Sequence, residues 1–166
     1  MNVLELINQG SHKLKYNKII SHKLDSEILL SKVLKKKREE ILINLDKSVK
    51  LNEFLEFRKL INRRSLKEPI AYIISEKEFW SKKFEVEKGI LIPRPETELI
   101  VEKLVKMFKN KQITFLDIGT GSGCILISLI SELKTSFGIG IDISKKALKV
   151  TKKNALNHHV YEKIKL

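Results

Sequence analysis

The stretch FLDIGTGSGC, Phe115 to Cys124, decides how the C-terminal half of this chain is read. An apolar run, Ile113–Leu116, leads into it and predicts a strand. The segment Cys124–Leu133 leaves it with helical character. A second strand is expected over Phe137–Ile143 and a second helix over Lys145–Asn157. The final residues, KIKL, look like the start of a third strand. Strand–helix–strand–helix order with short connections indicates a parallel α/β sheet.

Within the turn, Gly119, Thr120, Gly121, Ser122 and Gly123 follow a strand and open a helix, so backbone N–H groups can face a ligand with no Cβ in the way. Asp142 closes the next strand, 19 residues after Gly123, where a carboxylate can accept hydrogen bonds from both ribose hydroxyls of an adenosine ligand. No Gly-Lys-Ser/Thr follows, which excludes a P-loop. The dinucleotide pattern G-x-G-x-x-G/A fails at Cys124. Asp117, two residues ahead of Gly119, would repel a pyrophosphate but welcome the ammonium group of a methionine moiety. S-adenosylmethionine therefore fits better than NAD, and a purely structural turn is the remaining reading.

Upstream, residues 1–68 read as a small helical bundle. In LDSEILLSKVLKK, Asp25 and Ser26 are the expected helix caps and Leu29, Leu30, Val33 and Leu34 the buried stripe. Ile41, Leu42 and Leu45 are expected inward in a shorter helix. Leu51, Phe54, Leu55, Leu60 and Ile61 are expected inward in a third. From Glu68 the composition shifts to aromatic and β-branched residues, and all three prolines fall here. Residues 69–94 fit a hairpin linking two domains, with a turn at Lys88-Gly89 and a resumed extended run at Leu91-Ile92. Pro95 then suits the first turn of a helix whose inner face is Val101, Leu104, Val105 and Phe108. The domains expected are thus 1–68, 69–94 and 95–166.

The chain carries 33 Lys/Arg against 20 Asp/Glu, a formal charge of +13. Lysine far outnumbers arginine, so this charge is read as a solvated surface, with no direct nucleic-acid binding expected. That reading includes the run Lys35-Lys36-Lys37-Arg38. The N-terminus has no secretory pattern, no apolar run is long enough to span a bilayer, and a single cysteine fits a reducing cytoplasm. Cys124 lacks a histidine partner and is expected to be packing. His158 and His159 are adjacent, so they do not share a helix face as metal ligands would. His12 and His22 are expected at the surface, and Phe79 and Trp80 in hairpin packing. No metal site and no catalytic residue is assigned.

Taken together, EPIAYI, EFW and LIPRPETE, followed by LDIGTGSGCI and IGIDIS, resemble the release-factor glutamine methyltransferases. The resemblance runs across the chain and is strongest from Glu68 onward. It implies a helical docking domain, a hairpin, and then a Rossmann-like domain binding S-adenosylmethionine. It also implies methylation of the glutamine side-chain amide in the Gly-Gly-Gln loop of class I peptide chain release factors. Gly119 to Gly123 would contact the methionine portion and Asp142 the ribose, with Arg94, Pro95 and Thr97 near the pocket.

Two departures stand out. The family usually has glycine where Ser75 stands, and its Asn-Pro-Pro-Tyr motif does not occur in this sequence. In the family, that motif's Asn side chain and Pro carbonyl orient the target amide. The expectation is therefore a fragment or truncated product with an incomplete α/β domain, a bare apolar edge on its second strand, and poor solubility or loose packing. The alternatives are a release-factor-docking module without catalysis, and an amino-methyltransferase acting on nucleic acid or another protein.

Overall fold

The computed structural model describes residues 1–166, which form two compact units, Met1–Ile74 and Ser75–Leu166. The first unit is helical: α1 (Val3–Tyr16), α2 (His22–Leu34), α3 (Arg38–Ile43), α4 (Leu51–Ser65) and α5 (Ile70–Ile74). α1 opens with a reciprocal capping box. Asn2 Oδ1 accepts from Glu5 N at 2.9 Å, and Glu5 Oε2 accepts from Asn2 N at 3.0 Å. Its core gathers Leu6, Leu14, Leu29, Leu30, Ile41 and Phe57, with Val33, Leu34, Leu42, Leu45 and Phe54 packed around them.

Asp25 and Ser26 are not caps. α2 begins earlier, at His22, so both lie on its inner face and are buried. Asp25 Oδ2 accepts from Arg64 Nε at 2.7 Å and from Ser21 Oγ at 2.9 Å, while Ser26 Oγ donates to Ile7 O at 2.8 Å. A polar residue among leucines carries the same sequence signal whether it caps a helix or joins two of them. Leu51 and Leu55 turn outward, since the inward stripe of α4 passes through Phe57, Leu60 and Ile61.

The second unit opens with the hairpin β1 (Glu76–Phe79) and β2 (Lys82–Glu85). Thus the segment 69–94 is not extended throughout. It begins as α5, makes the hairpin, turns at Lys88-Gly89, and forms no strand at Leu91-Ile92. The two-residue loop Trp80-Ser81 has φ of 52° and 53°, the type I′ geometry that suits strand twist. Phe79 and Phe84 are buried edge to face at 6.1 Å. Trp80 N donates to Glu98 Oε1 and Trp80 Nε1 to Glu132 Oε1, so the pair serves packing as expected.

Ser75 immediately precedes the hairpin at φ 60°, a left-handed conformation that costs a residue with a Cβ about 1–2 kcal/mol. This is the position where the resembled family has glycine. Ser75→Gly is expected to stabilise the chain by about 0.5–1 kcal/mol, after allowing for the greater chain entropy of glycine. A urea midpoint that fails to rise would refute this.

A 3-10 turn at Pro95–Thr97 leads into α6 (Glu98–Phe108). Then come β3 (Thr114–Ile118), α7 (Cys124–Glu132), β4 (Phe137–Ile141), α8 (Lys145–Asn157) and β5 (Ile164–Lys165). The sheet is parallel in the order β3-β4-β5, with Phe115 opposite Gly138 and Asp117 opposite Gly140. This is the first part of a Rossmann-like sheet. One face is covered: Leu126, Ile127 and Ile130 of α7 join Val101, Ala155 and Ile164 in a core. Gly138 and Gly140 sit under α7, and a Cβ at Gly138 would lie 2.8 Å from Leu126 Cδ1.

The expected bare edge on the second strand is not there, because β5 pairs with β4 at Gly138 and Ile139. The bare surface is a face instead. Alternation in TFLDI and FGIGI sends Leu116 (59% exposed), Ile118 (74%), Phe137, Ile139 and Ile141 to the side away from α7. No helix in the chain is long and apolar enough to cross a membrane.

Candidate cofactor site

The glycine turn is held in shape by its neighbours. Gly119, Gly121 and Gly123 take φ of 82°, 58° and 78°. The N–H groups of Gly119 and Thr120 both donate to Ile141 O, at 2.8 and 3.0 Å, tying the turn to the end of β4. Asp142 stands one residue further on. Its Oδ2 accepts from Gly121 N at 3.0 Å and its Oδ1 from Ser144 N at 2.8 Å. Asp142 is therefore a brace of the loop, in addition to the ribose role implied for it.

Two residues of α8 complete the frame, and sequence reasoning missed both. Thr151 Oγ1 donates to Gly121 O at 3.0 Å. Asn154 Nδ2 donates to Ser122 O at 2.8 Å and to Glu85 O at 3.1 Å, and its Oδ1 accepts from Glu85 N at 2.8 Å. One amide thus links the hairpin to the glycine turn. Both side chains are fully buried. The available signal was their three-residue spacing on a helix, which places them on one face otherwise lined by Ala147, Val150 and Ala155.

The side of the turn away from α8 is open. A Cβ built on Gly119 meets nothing within 4 Å, and one on Gly121 approaches only Gly119 O, at 3.9 Å. Beside it, Asp117 Oδ2 and Thr120 Oγ1 are buried without a hydrogen-bond partner at normal geometry. Burial pushes the Asp117 carboxyl above its ordinary range; the Thr120 hydroxyl opposes the shift and the charge of Asp142 adds to it. Buried polar atoms without partners are costly unless something fills their bonding capacity. A cationic group beside the end of β3 would be attracted by the Asp117 carboxyl, which fits the ammonium end of S-adenosylmethionine better than a pyrophosphate. Ser122 is buried in the turn.

Cys124 begins α7 packed against the core, and burial raises its thiol to about 11, which suits packing and not nucleophilic attack. Arg94, Pro95 and Thr97 lie on the turn that opens α6, where Arg94 O accepts from Thr97 N at 3.0 Å. His158 Nε2 lies 2.8 Å from Lys83 O, and no group of three metal-ligating side chains occurs.

Comparison with known proteins finds a match in each of the two units. Residues 5–74 match the PrmC N-terminal domain, and residues 109–165 match a methyltransferase domain. The release factor glutamine methyltransferase of Nitratidesulfovibrio vulgaris is 35% identical over 96% of this chain and 54% of its own length. That of Buchnera aphidicola subsp. Acyrthosiphon pisum is 41% identical over 93% of this chain and 55% of its own. The chain pairs a PrmC N-terminal domain with a methyltransferase domain, and is similar over most of its length to the release factor glutamine methyltransferases. A protein of Rickettsia felis named bifunctional methyltransferase is also 37% identical, over 99% of this chain and 37% of its own length. The chain thus spans about half the length of the release-factor relatives and just over a third of the bifunctional one. The first family region coincides with the helical unit, and the second takes in the sheet, the glycine turn and Asp142.

Proposed function

We propose that this chain binds S-adenosylmethionine on the turn Gly119–Gly123 and serves methylation of the glutamine amide in the Gly-Gly-Gln loop of class I release factors, in the cytoplasm. The observation that carries the reading is the open side of a braced glycine turn beside the buried Asp117 carboxyl. The relatives' names support the release-factor substrate. The helical domain, read as residues 1–68, is assigned to docking that substrate, with the hairpin region 69–94 joining it to the donor-binding domain 95–166.

The donor supplies a methyl group on a sulfonium for in-line transfer. The protein's part is positioning and electrostatics. Asp117 holds the cationic end of the donor, the turn presents unobstructed backbone at Gly119 and Gly121, whose N–H groups are taken by Ile141 O and Asp142, and Asp142 accepts from the ribose while keeping Gly121 in place. No residue of this chain is assigned to orienting the target amide, so the proposal concerns donor binding and substrate docking.

Calorimetric titration with S-adenosylmethionine tests it. Binding is expected for the unaltered chain and is expected to vanish in Asp142→Ala. An unaltered chain that binds no donor would remove the reading. Asp117→Asn separates binding from folding. Because the folded carboxyl holds its proton above the ordinary value of 3.8, folding stability is greatest below that pH and falls as pH rises through the folded pKa. The variant is expected to lose donor affinity yet melt higher than the parent at neutral pH, with that slope removed. A variant that melts lower at pH 7 would show that the carboxylate is stabilising after all.

A further inference from the structure

The opposite end of the sheet carries a feature that donor binding does not use. Strands β3, β4 and β5 run parallel, so the glycine turn and Asp142 sit at their C-terminal ends. The residues that lead into the strands gather at the other end, about 15 Å away for five-residue strands. Two concavities lie there. One, of about 400 Å³, is lined by Lys82, Lys134, Lys163, His158 and His159 and has no carboxylate in its wall. The second, of about 590 Å³, is lined by Lys106, Lys109, Lys111 and Lys134, with Glu132 the one acid. Lys134 belongs to both, which makes them a continuous basic band.

Its charge is largely uncompensated. Lys106 pairs with Glu102, and Lys82 lies 3.8 Å from Glu132, whose Oε1 also accepts from Trp80 Nε1. Lys109, Lys111, Lys134 and Lys163 form no ion pair, and the Lys163 ammonium is held on Lys134 O. Of the apolar residues of the walls, Ile130, Leu133 and Val160 are buried and Val105 is half-buried. A protein partner ordinarily needs an aromatic or aliphatic anchor at the centre of its contact, and no apolar side chain stands fully exposed in this band. It also lacks arginine for bidentate base reading, and its one exposed aromatic ring is the imidazole of His159.

We propose that this band binds the phosphate backbone of double-stranded nucleic acid, without reading its sequence. Composition alone reads the +13 charge as a solvated surface. The placement of lysines around two concavities, with only Glu102 and Glu132 paired to any of them, is what changes that reading. The site is separate from the donor turn and does not depend on the methyltransferase proposal.

The test is fluorescence anisotropy of labelled 20-base-pair DNA and RNA duplexes with the full chain, from 50 to 200 mM salt. With four unpaired lysines engaged, the log–log salt slope on DNA is expected to be about −3 to −4. Lys134→Gln/Lys163→Gln is expected to make it shallower by about 2, and Lys109→Gln/Lys111→Gln by a similar amount. Lys35→Gln/Lys36→Gln/Lys37→Gln, in the helical unit, is expected to leave it unchanged. Absence of duplex binding at 50 mM salt would overturn the proposal. So would a slope unmoved by both band variants or lost in the helical-unit variant. Competition by poly-glutamate as effective, charge for charge, as by duplex would overturn it in favour of an acidic protein surface.

Discussion

Gly123→Ala is expected to cost the second unit about 2–4 kcal/mol, whereas Gly119→Ala costs about 1 kcal/mol and removes donor binding. Both glycines have positive φ, so each alanine meets the left-handed penalty. The difference lies in what the new methyl group meets. At Gly123 it would sit 2.7 Å from Thr151 Cγ2 and 2.8 Å from Ile127 Cδ1, both in a packed interior. Thr151 cannot retreat freely, because its hydroxyl holds Gly121 O. At Gly119 the methyl group enters open space, which is the space assigned to the donor. Chemical denaturation followed by far-UV circular dichroism, with donor titration on each variant, separates the two effects. Equal destabilisation by the two alanines would mean that the turn is set by backbone preference alone, and that the contact with α8 carries no weight.

That contrast also marks how far the residues could be read in advance. α8 was legible to the residue, Lys145–Asn157, since Ser144 caps it, accepting from Ala147 N, and its apolar spacing is regular. β3 and β4 were placed within two residues because each is a short apolar run between turn signals. The open face was not legible. A run such as FGIGI reads as a strand, but which of its two sides is covered depends on the helix packed there. The glycines, not the isoleucines, face α7. Asp25 illustrates the same limit: its partner, Arg64, lies 39 residues away on another helix. Asn154 does too, because its three hydrogen bonds reach back to Glu85 and Ser122, and no local spacing announces them. What sequence does carry is the composition of the turn, whose glycines and flanking Asp117 are local by necessity.

The bare sheet face has a consequence for handling the protein. Parallel sheets ordinarily have both faces covered, and here Leu116, Ile118, Phe137, Ile139 and Ile141 together make an exposed apolar surface. Such a surface is an association hazard. It is also distinct from the basic band, which is polar and lies at one end of the strands.

Arg64→Leu is expected to destabilise the helical unit by about 3–5 kcal/mol. The Arg64 side chain is 16% exposed and that of Asp25 5%, so the pair is held largely out of water. Arg64 also donates through Nη1 to Glu68 O at 3.1 Å, joining the end of α4 to the segment that follows it. Removing the arginine leaves Asp25 buried with only the Ser21 hydroxyl as hydrogen-bond donor. The loss therefore comes chiefly from the stranded carboxylate and not from the attraction itself. Asp25→Leu/Arg64→Leu tests that account, because it removes the stranded charge as well as the partner. It is expected to recover most of the stability lost in the single variant. Thermal melts would show this as a fall of about 12 °C or more for Arg64→Leu, with most of it regained in the double variant. A double variant no more stable than the single one would mean that the arginine's packing and its bond to Glu68 O hold the unit together, and that the buried charge contributes little.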